Sequence, residues 1–155
     1  MDQPSEAVER SLLFAVFNEV AILEQLSRNR FEREMPDGLL VPHFSVLNHL
    51  VRLGDDKPIT SLASAFQVPK GTMTNTIQRL HAKGFVDVRP DPQDGRGKRV
   101  FLTDEGRAMR ERAIDAVTPA LGALMAELGP DLFAKLLPGL RTLRETLDRM
   151  RDGEH

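Results

Sequence analysis

Thirty residues of this 155-residue chain, Lys70 to Arg99, hold seven Lys or Arg side chains against three acids. The cations are Lys70, Arg79, Lys83, Arg89, Arg96, Lys98 and Arg99; the acids are Asp87, Asp91 and Asp94. The segment therefore carries +4 in a chain of net charge -2, and the remainder carries -6. Concentrating positive charge in one stretch makes a phosphate-facing surface without making the whole protein basic. Within the stretch, Met73, Ile77 and Leu80 recur at i, i+4 and i+7 and mark the core side of a helix. Its opposite side presents Gly71, Thr74, Asn75, Gln78 and Ala82, small or hydrogen-bonding groups that approach base edges closely, the amides being suited to adenine. No acid lies between Pro69 and Gly84.

The elements that must position these groups are legible in the same pattern. A helix is predicted over Lys70 to Lys83, with Gly84 where a helix end takes the left-handed conformation. Phe85, Val86 and Val88 form a strand; Val100 and Leu102, alternating with Arg99 and Phe101, form its partner, and Pro92, Gly95 and Gly97 supply the turn. Upstream, Ser5 to about Glu34 is a helix apolar on nearly every side, which calls for more than one neighbour. Met35-Pro36-Asp37-Gly38 ends it. A second helix is expected from about Pro42 to Leu53, with Phe44, Leu47, Leu50 and Val51 on one side. Gly54 to Pro58 reads as a turn, Thr60 as the N-cap of a short helix with Leu62, Ala63 and Phe66, and Gln67-Val68-Pro69 as the turn into the cationic helix.

Downstream, Thr103 is placed to cap a long helix opened by Asp104 and Glu105, running to about Leu128 with a kink expected at Pro119. In the last helix, Asp131 to about Arg151, the residues Leu136, Leu140, Leu143, Leu147 and Met150 are spaced 4, 3, 4, 3, the rhythm of a coiled-coil seam. Pro138-Gly139 interrupts it with a kink or a break. So much apolar helix surface exceeds what one small core consumes, and a homodimer formed through both termini is the economical expectation.

The fold class expected is mainly α: a winged helix-turn-helix, its wing a small β-hairpin, with N- and C-terminal dimerisation helices. Residues 40–103 form the DNA-binding region, and 1–39 with 104–155 the helical dimerisation region of one compact chain. In such a fold the helix enters the major groove of double-stranded DNA and the hairpin lies beside it. Other chemistry finds little footing. The absence of cysteine excludes a disulfide, a thiol nucleophile and a Cys-ligated metal. His43 and His49 are six apart on one helix, too far round it to share a metal. Asp91-Pro-Gln-Asp94 lacks the closing Glu of a calcium loop, and no nucleophile elbow or phosphate loop appears. No enzyme activity, cofactor or metal is expected. The acidic-leaning N-terminus and the short, interrupted apolar run from Leu12 to Leu23 are those of neither a signal peptide nor a membrane span, which points to a cytoplasmic protein.

Two blocks carry a family resemblance: Leu62 to Val86, and the wing from Asp91 through Asp94-Gly-Arg96, Val100, Leu102-Thr103 and Gly106. The chain resembles the MarR family of bacterial winged helix-turn-helix transcriptional regulators, whose wing reads Asp-x-Arg followed by apolar-x-Leu-Thr-x-x-Gly. The resemblance implies a homodimeric regulator, a repressor by the family's habit, on a palindromic operator. It makes Arg96 the wing-tip arginine of the minor groove, with Asp94 holding that arginine, capping its own turn, or doing both. Lys98 and Arg99 become phosphate contacts. The expected DNA-binding set is thus Lys70, Gly71, Thr72, Thr74, Asn75, Gln78, Arg79, Asp94, Arg96, Lys98 and Arg99. The family also takes small aromatic or phenolic acids between its dimerisation helices and winged domain. That junction here would be lined by Phe14, Phe17, His43, Phe44, Leu47 and Met109, with His43 either orienting an anion or serving as a satisfied helix-start histidine. Two departures stand out: Gln67 where the family often has Gly, and Pro69 where it often has a capping Ser or Thr. The competing reading is a winged-helix dimer that binds proteins and has no specific DNA target.

Overall fold

The computed structural model describes residues 6–153; the expected helix start at Ser5 lies outside them. Helix α1 spans Glu6–Glu34, a 3-10 turn Pro36–Gly38, α2 Val41–Leu53, β1 Lys57–Pro58 and α3 Ile59–Ala65. Then come α4 Lys70–Ala82, β2 Val86–Asp91, β3 Asp94–Leu102, α5 Asp104–Leu128 and α6 Pro130–Asp152. The fold is mainly helical with one small antiparallel sheet, in the order β1-β3-β2. The chain divides into two compact units between Val117 and Thr118, inside α5.

The core of the first unit is drawn from α2, α3, α4, the hairpin and the start of α5. Leu47, Leu62, Val100, Met109 and Ala113 have no exposed surface, and Val46, Leu50, Ile77, Leu80 and Val86 have 1%. On α2 the buried positions are His43, Val46, Leu47 and Leu50; Phe44 and Val51, expected inside, are half-buried. The core stripe is therefore rotated toward Val46, because His43 is drawn in by the main chain of the preceding turn: its Nδ1 accepts the Leu40 N–H at 3.1 Å.

Two local expectations are corrected. Residues 57–58 are a strand and not part of a turn: Lys57 pairs with Val100 and Pro58 with Arg99. Because the chain leaves that strand directly into α3, the N-cap is Pro58, and Thr60 lies inside the helix; Ser61 Oγ donates to the Pro58 carbonyl at 2.9 Å. Gly84, at φ 76°, ends α4 as its position predicts.

Thr103 caps α5 as expected, its Oγ1 accepting the Gly106 N–H at 3.0 Å. The same hydroxyl donates to the Gly84 carbonyl at 2.7 Å, and the Thr103 N–H donates to the Phe85 carbonyl at 3.2 Å. A Cβ on Gly106 would fall 1.9 Å from that Phe85 oxygen. The Leu-Thr-x-x-Gly pattern thus has a physical origin: a cap and a gap that let α5 start directly against the end of α4. Helices α5 and α6 each continue through their internal proline, Pro119 and Pro138.

Candidate nucleic-acid interface

Helix α4 is anchored by Met73, Ile77 and Leu80, at most 3% exposed. That fixes which side faces outward. Gly71, Thr72, Asn75, Gln78, Arg79 and Ala82 are exposed, and Thr74 is half-buried. Thr74 Oγ1 donates to the Lys70 carbonyl at 2.8 Å, so its hydroxyl hydrogen is used within the helix and only its oxygen remains to accept. The N-cap of α4 is Pro69, with no side-chain cap. The opening N–H groups therefore lack a side-chain partner at the positive end of the helix dipole, and Lys70 stands beside them. An anion such as a backbone phosphate suits that end.

Strands β2 and β3 pair in register from Val86↔Leu102 to Pro90↔Lys98, and the register then shifts so that Asp91 faces Asp94. Gly95, Arg96 and Gly97 are the residues left over by that shift. The two glycines expected in the turn thus belong to an irregularity within β3, and Pro92-Gln93 forms the tip. Such a bulge re-aims the side chain it carries, and here that side chain is Arg96, which is exposed. Asp94 caps its own turn: its Oδ1 accepts the Arg96 N–H at 3.0 Å. A Cβ on Gly97 would meet the Asp94 Oδ2 at 3.0 Å, so a small residue there gives the carboxylate room. Between hairpin and helix lies a cleft of about 430 Å³, bordered by Thr74, Gln78 and His81 on one side and Arg89, Arg96 and Lys98 on the other.

The seven cations divide into two groups. Lys83 Nζ donates to the Asp37 carbonyl at 3.0 Å. Arg89 lies 4.3 Å over the Phe101 ring and pairs with Asp87 at 2.9 Å, a contact that holds the Asp87 carboxyl below its ordinary pKa. Arg99 is bound on two sides: Nε to Asp56 Oδ1 at 2.5 Å, Nη2 to the Asp56 carbonyl at 2.7 Å and Nη1 to Asp91 Oδ2 at 3.4 Å. Arg99 was expected at a phosphate; it instead ties the base of the wing to the turn before β1, and its guanidinium is committed there. Lys70, Arg79, Arg96 and Lys98 make no side-chain hydrogen bond or ion pair to a described residue. These four are available to phosphate. Nothing within a few residues of Arg99 announces its role, because its main partner is 43 positions away.

The six residues expected to line a ligand junction are not assembled into one within the chain. Leu47 and Met109 are sealed in the core with no exposed surface, so neither offers a wall to a ligand. Phe44 packs against that core, while Phe14 and Phe17 stand 74% and 42% exposed on α1. His43 takes the helix-start role already described, and burial first, then the charges of Arg79 and Lys83, lower its pKa. On α6, Leu136, Leu140, Leu147 and Met150 are all exposed and Leu143 is half-buried.

A family model described as the MarR family matches residues 37–97, from the turn after α1 to the wing bulge. The transcriptional regulator HosA of Escherichia coli O111:H- is 31% identical over 128 residues, covering 78% of this chain and 90% of that protein. A MarR transcriptional regulator from Methanosarcina mazei Go1 superposes with a TM-score of 0.77 at 22% identity, over 87% of this chain and 97% of its own. BpsR of Bordetella bronchiseptica, solved in a study of how 6-hydroxynicotinic acid regulates its DNA binding, superposes at 0.70 with 25% identity, over 84% and 98%. With a wing and reading helix of this geometry and a relative matched along nearly its whole length, the chain belongs to the MarR family of DNA-binding transcriptional regulators and is not an enzyme.

Proposed function

We propose that the protein is a homodimeric repressor that sets two α4 helices into successive major grooves of a palindromic operator and is relieved by a small aromatic or anionic ligand. The observation that carries the DNA reading is the acid-free outer face of α4, lying beside a wing whose Arg96 is bulged into solvent and unpaired. Residues 40–103 are the reading region in this scheme, and residues 1–39 and 104–155 serve dimerisation. Asn75 and Gln78 read base edges; Lys70, Arg79 and Lys98 meet phosphates; Arg96 enters the minor groove. Dimerisation is supported by the apolar residues exposed along α1, α5 and α6, far more surface than a monomer keeps in water. Ligand relief is supported by BpsR, whose DNA binding is regulated by 6-hydroxynicotinic acid. No described helix is long and apolar enough to cross a membrane, in keeping with action on cytoplasmic DNA.

Selection of bound fragments from a random DNA pool tests this. An inverted repeat with half-sites roughly 34 Å apart is expected, about one helical turn. With about six phosphate contacts per dimer, affinity should fall roughly a thousandfold between about 50 and 200 mM salt. Asn75→Ala or Gln78→Ala should cost about 1–3 kcal/mol of discrimination at one position per half-site. Arg96→Ala should instead weaken binding to all sequences and flatten the salt slope. Recovery of no inverted repeat would favour a protein-binding module.

A further inference from the structure

Little main chain fastens the wing to the body of the protein on its β1 side. Strand β1 offers two residues to β3, and one of them, Pro58, has no N–H to donate. Beyond the pairing of Pro90 with Lys98 the register shifts, and the segment that carries Arg96 lies outside the regular ladder. One side chain crosses this weak place. Arg99 Nε donates to Asp56 Oδ1 at 2.5 Å and Nη2 donates to the Asp56 carbonyl at 2.7 Å, so two nitrogens of the guanidinium hold one residue. Its Nη1 reaches across to β2 and donates to Asp91 Oδ2 at 3.4 Å. Asp91 in turn accepts the Gln93 N–H at the tip through Oδ1, at 3.0 Å. A path of hydrogen bonds thus runs from the turn before β1, through Arg99, to the tip of the wing. Asp56 holds φ at 57°, a left-handed conformation that Asp and Asn adopt more readily than other side chains. The side chains of Arg99 and Asp91 are 24% and 9% exposed, so this end of the path is shielded from solvent, where a fully exposed pair would count for little.

We propose that Arg99 is the positioning residue of the wing: through Asp56 and Asp91 it fixes where Arg96 stands relative to α4, so that wing and reading helix engage one stretch of DNA together. This rests on the DNA reading proposed above for Arg96 and α4. It makes a particular demand of Asp56. Removing an acid from a DNA-binding protein ordinarily strengthens its hold on phosphate. Here the loss of the Asp56 charge frees the wing and weakens the complex. It also makes the shape of Arg99 matter as much as its charge. A guanidinium fork reaches Asp56 at two atoms and Asp91 at a third, which a lysine ammonium on its flexible stem does not reproduce.

The test uses the full chain, first without DNA. Asp56→Asn keeps the side-chain shape and the tolerance for a left-handed backbone while removing the charge. Backbone amide relaxation and hydrogen exchange should show residues 91–98 loosened in this variant, with residues 70–82 unchanged. Wing amides that behave as in wild type would overturn the clamp. Affinity is then measured on the selected operator. Asp56→Asn and Arg99→Lys should each weaken binding about fivefold, within the range expected of coupled contacts. A phosphate contact at Arg99 predicts the opposite pattern, with Lys retaining affinity and Asn raising it, and that result would overturn the positioning role. The decisive comparison repeats Asp56→Asn in an Arg96→Ala background. If the clamp acts through Arg96, the further loss should shrink to less than about twofold, whereas an undiminished fivefold loss would mean that Arg99 does not act through the wing arginine. An Arg96→Ala protein that bound the operator as wild type does would fail the reading of the wing, and the amide measurements would still decide the clamp.

Discussion

The stretch from Met35 to Ala113 and the terminal helices α1 and α6 use similar apolar residues to opposite ends. Every buried hydrophobic side chain among the described residues falls in the first stretch. Helix α1 buries none over 29 residues, although its sequence is apolar on nearly every side. Of the described large hydrophobic residues that are exposed, all but Leu40 and Leu53 lie in α1, in the last part of α5 or in α6. The winged stretch therefore satisfies its own hydrophobic pattern within one chain, and the terminal helices do not. The contrast separates two roles: the winged stretch packs its apolar side chains within a single chain, while the terminal helices leave theirs for the dimer proposed above.

The strongest way to break that contrast is to charge the terminal seam. Leu143→Asp with Leu147→Asp should abolish the dimer in sedimentation, at a cost of several kcal/mol, on the order of 3–5 for charges buried without partners. A doubly substituted protein that still sedimented as the wild-type dimer would remove α6 from the interface.

Next in size, Gly106→Ala attacks the self-sufficient stretch. Its Cβ would fall 1.9 Å from the Phe85 carbonyl oxygen, a backbone atom with no room to yield. The expected loss in urea unfolding is on the order of 3 kcal/mol, near the upper end for overpacking. A loss within about 0.5 kcal/mol, typical of an unconstrained surface site, would mean that the two helices do not meet this closely.

Smaller and opposite in sign is Gln67→Gly. Gln67 holds φ at 51°, a left-handed conformation that a side chain resists by about 1–2 kcal/mol. Glycine removes that strain but adds freedom to the unfolded chain, worth about 0.4–1 kcal/mol the other way. A net gain of roughly 0.5 kcal/mol in the urea midpoint is expected, and a loss would show that the Gln67 side chain is itself stabilising.

The smallest effect is a pH dependence. The folded pKa of His43 lies below its ordinary 6.5, chiefly through burial and then through Arg79 and Lys83. A depressed folded pKa means that the unfolded chain binds the proton more readily. The associated stability is present above pH 6.5 and is lost as pH falls toward the folded value. His43→Gln keeps an acceptor for the Leu40 N–H without titrating, so its stability should fall less than that of wild type between pH 7.5 and 5.5. His49, also depressed by burial first and then by Lys57 and Arg52, remains in both proteins and sets a common background. Parallel pH profiles would assign the dependence to other groups.

Local chemistry made part of this molecule readable. Met73, Ile77 and Leu80 declare their helix face by spacing alone, Gly84 its end, and Thr103 its successor's start; each rests on neighbours within a turn of chain. Distant partners hid the rest. Strand β1 is two residues long and exists because β3 pairs with it 43 positions later. Arg99 resembles any basic wing residue until Asp56 is brought beside it by that pairing. The glycines at 95 and 97 signal a turn correctly in type but not in place, because the register shift puts them to one side of the tip. The family pattern supplied the importance of Asp94 without its mode of action, and the bond to the Arg96 N–H settles that it caps the wing's main chain.

The Thr103 hydroxyl has a mechanical consequence. It donates to the last turn around α4 and accepts from the first turn of α5, while Gly106 removes the side chain that would hold the helices apart. Such a joint has little play: a tilt at the start of α5 is passed to α4 as motion of one piece, not absorbed by a flexible loop. Two copies joined through their terminal helices would then behave as calipers with stiff arms. Their tolerance for operators with an inserted or deleted base pair would be set by bending of the DNA more than by give in the protein.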